Sequence, residues 1–80
     1  MKISVLKYLV SAYTLEELKE AEDLIINEKT PLIDVEGEDP GEQLSHLFGA
    51  IWVKNEMKAN NTELRQALRL FSQKVRNSIS

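Results

Sequence analysis

The chain has no cysteine, and that absence removes several chemistries at once. No disulfide can staple the fold, no thiolate can act as nucleophile, and no cysteine-ligated zinc or iron–sulfur site can form. A single histidine leaves one candidate general base, and no serine stands at a glycine-flanked elbow. Three glycines, at positions 37, 41 and 49, do not have the spacing of a phosphate-cradling loop. The longest apolar run, residues 47–53, is far shorter than the ~20 residues that span a bilayer. The N-terminus looks superficially like a signal peptide, but Lys7 interrupts its apolar stretch and no small-residue cleavage site follows. These absences lead us to expect a cytoplasmic protein that is not an enzyme, carries no cofactor and does not enter a membrane.

What is present describes one small globular domain over residues 1–80. Hydrophobic residues make up 42% and charged residues 29% of the chain, too apolar for disorder. A chain of this length buries only about 60–65% of the surface its unfolded form exposes, so its core is small. The net charge is −3, unevenly spread: residues 1–40 hold ten acids and four bases, residues 41–80 three acids and six bases. The halves therefore attract one another, and the acidic half argues against nucleic acid as a partner.

Periodicity predicts four helices. The first, over residues 2–12, is apolar around most of its circumference, with only Ser4, Lys7 and Ser11 marking a solvated side. Thr14 and Glu17 form a capping-box signature for a second helix. Leu15, Leu18, Ala21, Ile25 and Ile26 line one side of it, and the pattern fades near Glu28. A loop follows over residues 29–39, in which Leu32, Ile33 and Val35 are expected to form a short extended segment pinned to the core. Asp39, Pro40 and Glu42 then read as cap, first position and third position of another helix.

That third helix, over residues 40–59, carries two apolar stripes. Leu44, Leu47, Phe48, Ile51 and Trp52 form a broad one; Ala50, Val53 and Met57, with His46, form a narrower one almost opposite. The broad stripe is expected to face the core and the narrow one to remain open. Asn60 and Asn61 break the helix. The fourth, over residues 62–79, is amphipathic, with Leu64, Ala67, Leu68, Phe71, Val75 and Ile79 inward. Arg65, Arg69 and Arg76 form a flanking stripe, expected to pair with the acidic half of the same chain.

Asp34, Glu36, Glu38, Asp39 and Glu42 put five carboxylates into nine residues, with no lysine or arginine between Lys29 and Lys54. This is no calcium loop of the helix–loop–helix type: Gly37 falls at the fourth position instead of the sixth, and Ser45 stands where a bidentate ligand is required. It reads as an acidic docking face for a basic protein partner. Glu42 and His46, four apart on one helix face, could ligate a metal together with nearby carboxylates, but a bundle di-iron site would need a second histidine.

The stretch Val35-Glu36-Gly37-Glu38-Asp39-Pro40-Gly41-Glu42-Gln43-Leu44-Ser45-His46, with Ala50 and Trp52 beyond it, resembles a family of short bacterial proteins of uncharacterised function, found mainly in Bacteroidetes. The likeness runs over nearly the whole chain. It implies a bacterial, cytoplasmic protein and brings no activity or catalytic residue with it.

The fold expected is thus all-α, a small four-helix bundle-like domain with an acidic loop between its second and third helices. The function expected is non-catalytic protein–protein interaction, as a homodimer. Its contacts would come from the first helix, from Trp52, Val53 and Met57, and from the acidic residues 34, 36, 38, 39 and 42. The alternative is a small metal- or ligand-binding protein using Glu42 and His46.

Overall fold

The computed structural model describes residues 2–79, with side chains as far as Asn77. Four helices follow in order: α1 (Ile3–Ala12), α2 (Leu15–Ile26), α3 (Pro40–Asn60) and α4 (Leu64–Ile79). The all-α architecture agrees with the periodicity, and among the described residues there is no strand. Helix α3 is the hub. Each of the other three packs along it, whereas α1 and α4 meet only lightly.

Local chemistry sets most helix ends. Thr14 Oγ1 accepts from the Glu17 amide at 3.1 Å while Glu17 Oε1 accepts from the Thr14 amide at 2.9 Å, completing the box. Asp39 Oδ1 accepts from the Glu42 amide at 2.8 Å, with Pro40 at the first helical position. Asn61 closes α3 in the left-handed region, at φ 51°.

The end of α2 is less expected. The Lys29 amide donates to the Leu24 carbonyl and the Glu28 amide to the Ile25 carbonyl, the paired bonds of a Schellman cap. Glycine usually fills the left-handed position of that cap; here Glu28 does, at φ 59°.

The core joins Val5, Leu6, Leu9 and Val10 of α1 to Leu18, Ala21 and Ile25 of α2. Leu47, Ala50 and Val53 of α3, Ala67, Leu68 and Phe71 of α4, and Val35 from the loop complete it. The inward placement of Ala67, Leu68 and Phe71 agrees with the pattern; the side chain of Ile79 lies outside the described residues.

Gly49 marks where three helices converge. A Cβ there would stand 2.7 Å from Leu6 Cδ2 and 3.1 Å from the Phe71 ring. Glycine lets α1 and α4 approach α3 at one level, which a larger residue would prevent.

Two expectations about α3 and one about the loop need correcting. The two stripes of α3 exchange roles: the narrow one, with His46, Ala50 and Val53, is buried by the same chain. The broad one contributes only Leu47 to the interior; Leu44, Ile51 and Trp52 are half-buried and Phe48 is 59% exposed. The reason is steric, because three helices crowd one side of α3 and small residues fit there best. In the loop, Val35 enters the core and Ile33 packs against it, but Leu32 is 81% exposed and pins nothing.

Candidate functional site

His46 is fully buried, the single buried polar residue among those described. Its Nε2 faces the Lys2 backbone amide at 3.2 Å and its Nδ1 the Glu36 carbonyl at 2.7 Å. Lys2 can only donate and the carbonyl can only accept, so the ring is neutral and carries its hydrogen on Nδ1. One side chain thereby ties the start of α1 and the acidic loop to α3. This replaces a cap for α1, whose N-cap residue Lys2 forms no side-chain cap bond.

The same geometry corrects the metal reading. Both ring nitrogens of His46 are engaged with backbone, neither with Glu42, and no group of three metal-ligating side chains occurs among the described residues. Glu42 sits half-buried in the first turn of α3, where it serves the helix start.

The acidic loop is held firmly from behind. Gln43 Nε2 donates to the Val35 carbonyl at 2.9 Å, and Gly37 lies so close that a Cβ would meet the Gln43 backbone nitrogen at 2.8 Å. With the backbone fixed by Val35, Gln43 and His46, the carboxylates of Asp34, Glu36, Glu38 and Asp39 are presented to solvent. Lys2 Nζ lies 3.6 Å from Glu36 Oε2, both ends well exposed, so the pair contributes little. Tyr8 and Tyr13 meet edge-to-face at 6.0 Å. The Tyr13 phenol is held above its ordinary value, first by the neighbouring Tyr8 hydroxyl and then by partial burial.

A second surface is apolar. Leu44, Phe48, Ile51, Asn55 and Lys58 follow one another along the open side of α3 at helical spacing. Leu15, Lys19, Glu22 and Ile26 do the same along the flank of α2 turned away from the loop, with Ile26 61% exposed. Trp52, at the margin, leans on Phe71 with ring centroids 5.5 Å apart. Of the interaction residues expected from sequence, Trp52 and Met57 are half-buried against the core, while Val53 is wholly inside and cannot contact a partner. The sequence pattern groups Phe48 with the core stripe, and no signal there separates it from Leu47.

A third surface is basic. Arg65, Arg69 and Arg76 are exposed, and among the described residues none of them forms an ion pair. The expected pairing with the acidic half does not occur, because α4 packs on α3 and only lightly on α1, away from the acidic helix α2.

The family whose sequence pattern matches this chain does so over residues 1–80. The chain belongs to the DUF6952 family, a family of unknown function. No curated protein and no solved structure matches it. The DUF6952 match takes in all four helices and the acidic loop. No described helix is long and apolar enough to cross a membrane.

Proposed function

We propose that this protein is a non-catalytic interaction module that forms a homodimer through the open side of α3 and offers its acidic loop to a basic partner. The observation that carries the reading is Phe48, a large aromatic left 59% exposed in the middle of an apolar strip. Exposed apolar strips of this kind on a folded monomer mark contact surfaces.

A second copy is favoured as occupant by charge. A two-fold interface sets a surface against itself, so a face of one sign would oppose like charges. The acidic loop and the arginine flank of α4 both have that defect. The Phe48 face does not, since on the same side of α3 Leu44, Ile51 and Asn55 are uncharged and Lys58 alone carries a charge. Burial at about 25 cal/mol per Å² of apolar area would drive the association.

The loop is suited to a separate role, because its backbone is held from behind and only side-chain freedom is lost when its carboxylates meet lysine or arginine. We place the protein in a bacterial cytoplasm, on its lack of cysteine and the likeness of residues 35–46 to bacterial sequences.

Sedimentation at micromolar concentration tests the dimer. The expected mass is twice 9.1 kDa, falling to the monomer in Phe48→Glu with helix content retained. A monomeric parent protein would remove the dimer. For the loop, a combined Asp34→Asn, Glu36→Gln and Glu38→Gln variant should retain less of a labelled polylysine peptide than the parent, and equal retention would reject that role.

A further inference from the structure

Between α1 and α4 lies an open groove of about 830 Å³ that neither the dimer nor the acidic loop uses. Ile3, Leu64 and Leu68 give it an apolar lining; Lys7 from α1 and Arg65 and Arg69 from α4 supply three cations, with Glu63 the one carboxylate. The spacing is regular. Ile3 and Lys7 are four apart on one helix, as are Leu64 and Leu68, and Arg65 and Arg69, on the other, so the site is elongated along the helix axes. Among the described residues, none of the three cations has an anionic partner.

We propose that this groove binds an acidic amphipathic helix of another protein. Such a helix would lay leucine-like side chains along Ile3, Leu64 and Leu68 and bring its carboxylates to Lys7, Arg65 and Arg69. Arginine favours this because its planar fork meets a carboxylate with two parallel hydrogen bonds. Groove recognition of this kind reads anchors three and four residues apart. Charge complementarity selects the occupant's sign, and the apolar lining selects its second face. A polynucleotide satisfies only the first condition, because it offers no apolar face to Ile3, Leu64 and Leu68. The proposal is independent of the dimer, whose residues Leu44, Phe48 and Ile51 do not line this groove.

The full chain should be titrated with a labelled helical peptide bearing leucines at every third and fourth position and glutamates between them. A glutamine version of that peptide and a single-stranded oligonucleotide serve as controls. We expect the acidic peptide to bind, with added salt weakening it. Resonances of Ile3, Leu64 and Leu68 should shift on binding. The Arg65→Ala/Arg69→Ala variant and the glutamine peptide should each lower affinity about tenfold. Lys7→Ala provides an independent variant on α1 should the double variant lose helix content. The proposal is overturned by the absence of binding at millimolar peptide or by equal affinity for parent and variants. It is equally overturned by tighter binding of the oligonucleotide, or by a fall in the parent's oligomeric mass in the arginine variant, which would make a second copy the occupant.

Discussion

The imidazole of His46 accepts the backbone amide of Lys2 at 3.2 Å, so a residue in the first half of α3 anchors the first turn of α1. The other ring nitrogen holds Glu36, and the three segments are locked by one side chain. Replacing His46 with alanine leaves a cavity and two backbone groups without partners. The expected loss is about 2–4 kcal/mol in denaturant unfolding. Nitrogen shifts of the ring should report the Nδ1–H tautomer at neutral pH, and the opposite tautomer would contradict this arrangement.

Gly49→Ala sets two effects against each other. Alanine is the better helix former by about 1 kcal/mol, yet its methyl would collide with Leu6 and Phe71 inside a packed core. Overpacking of this kind costs about 1–3 kcal/mol. A net destabilisation of about 1 kcal/mol is expected, reduced when Leu6→Val opens space beside it. Additive effects in the double variant would show that the two residues do not compete for the same volume.

Glu28→Gly should stabilise the protein. Glu28 occupies the left-handed cap position of α2, a conformation that costs a side-chain-bearing residue about 1 kcal/mol. Part of the relief is offset by the greater freedom of glycine in the unfolded chain. A gain of about 0.5 kcal/mol, read from the urea midpoint at unchanged slope, is the expected outcome.

Tyr13 is expected to make stability depend on pH at the alkaline end. Its phenol titrates above the ordinary 10.0 because the Tyr8 hydroxyl favours the neutral form. A group whose value is raised on folding stabilises the fold fully below its unfolded value. That contribution is lost as the pH climbs through the folded one. Stability should therefore decline above pH 10, and tyrosinate absorbance should show Tyr13 ionising late. In Tyr8→Phe its ionisation should move back toward the ordinary value; an unmoved titration would sever the link.

The helices were legible because their signals are local. Thr14 with Glu17, and Asp39 with Pro40, act within one turn, and capping geometry needs nothing from distant chain. The interior of α4 was legible too, since its apolar residues form one stripe with one possible direction. Helix α3 was not legible in this way. It carries apolar residues on both sides, and periodicity shows that stripes exist without showing which of them meets neighbours. Phe48 and Val53 consequently exchanged places between expectation and structure. The arginines misled for a related reason: opposite net charges in two halves predict attraction, but Arg65 and Arg69 can pair only with what the topology sets beside them.

From the sequence alone came the number of helices, most of their ends, the acidic loop and the poverty of catalytic side chains, because each depends on residues within a turn or two of one another. Tertiary structure alone decided which side of α3 stays open, what His46 holds, and that Lys7 and the arginines share a groove. Those outcomes depend on how several helices divide the space around a single one, and the small residues Gly49 and Ala50 settle that division through close approach that no local pattern records.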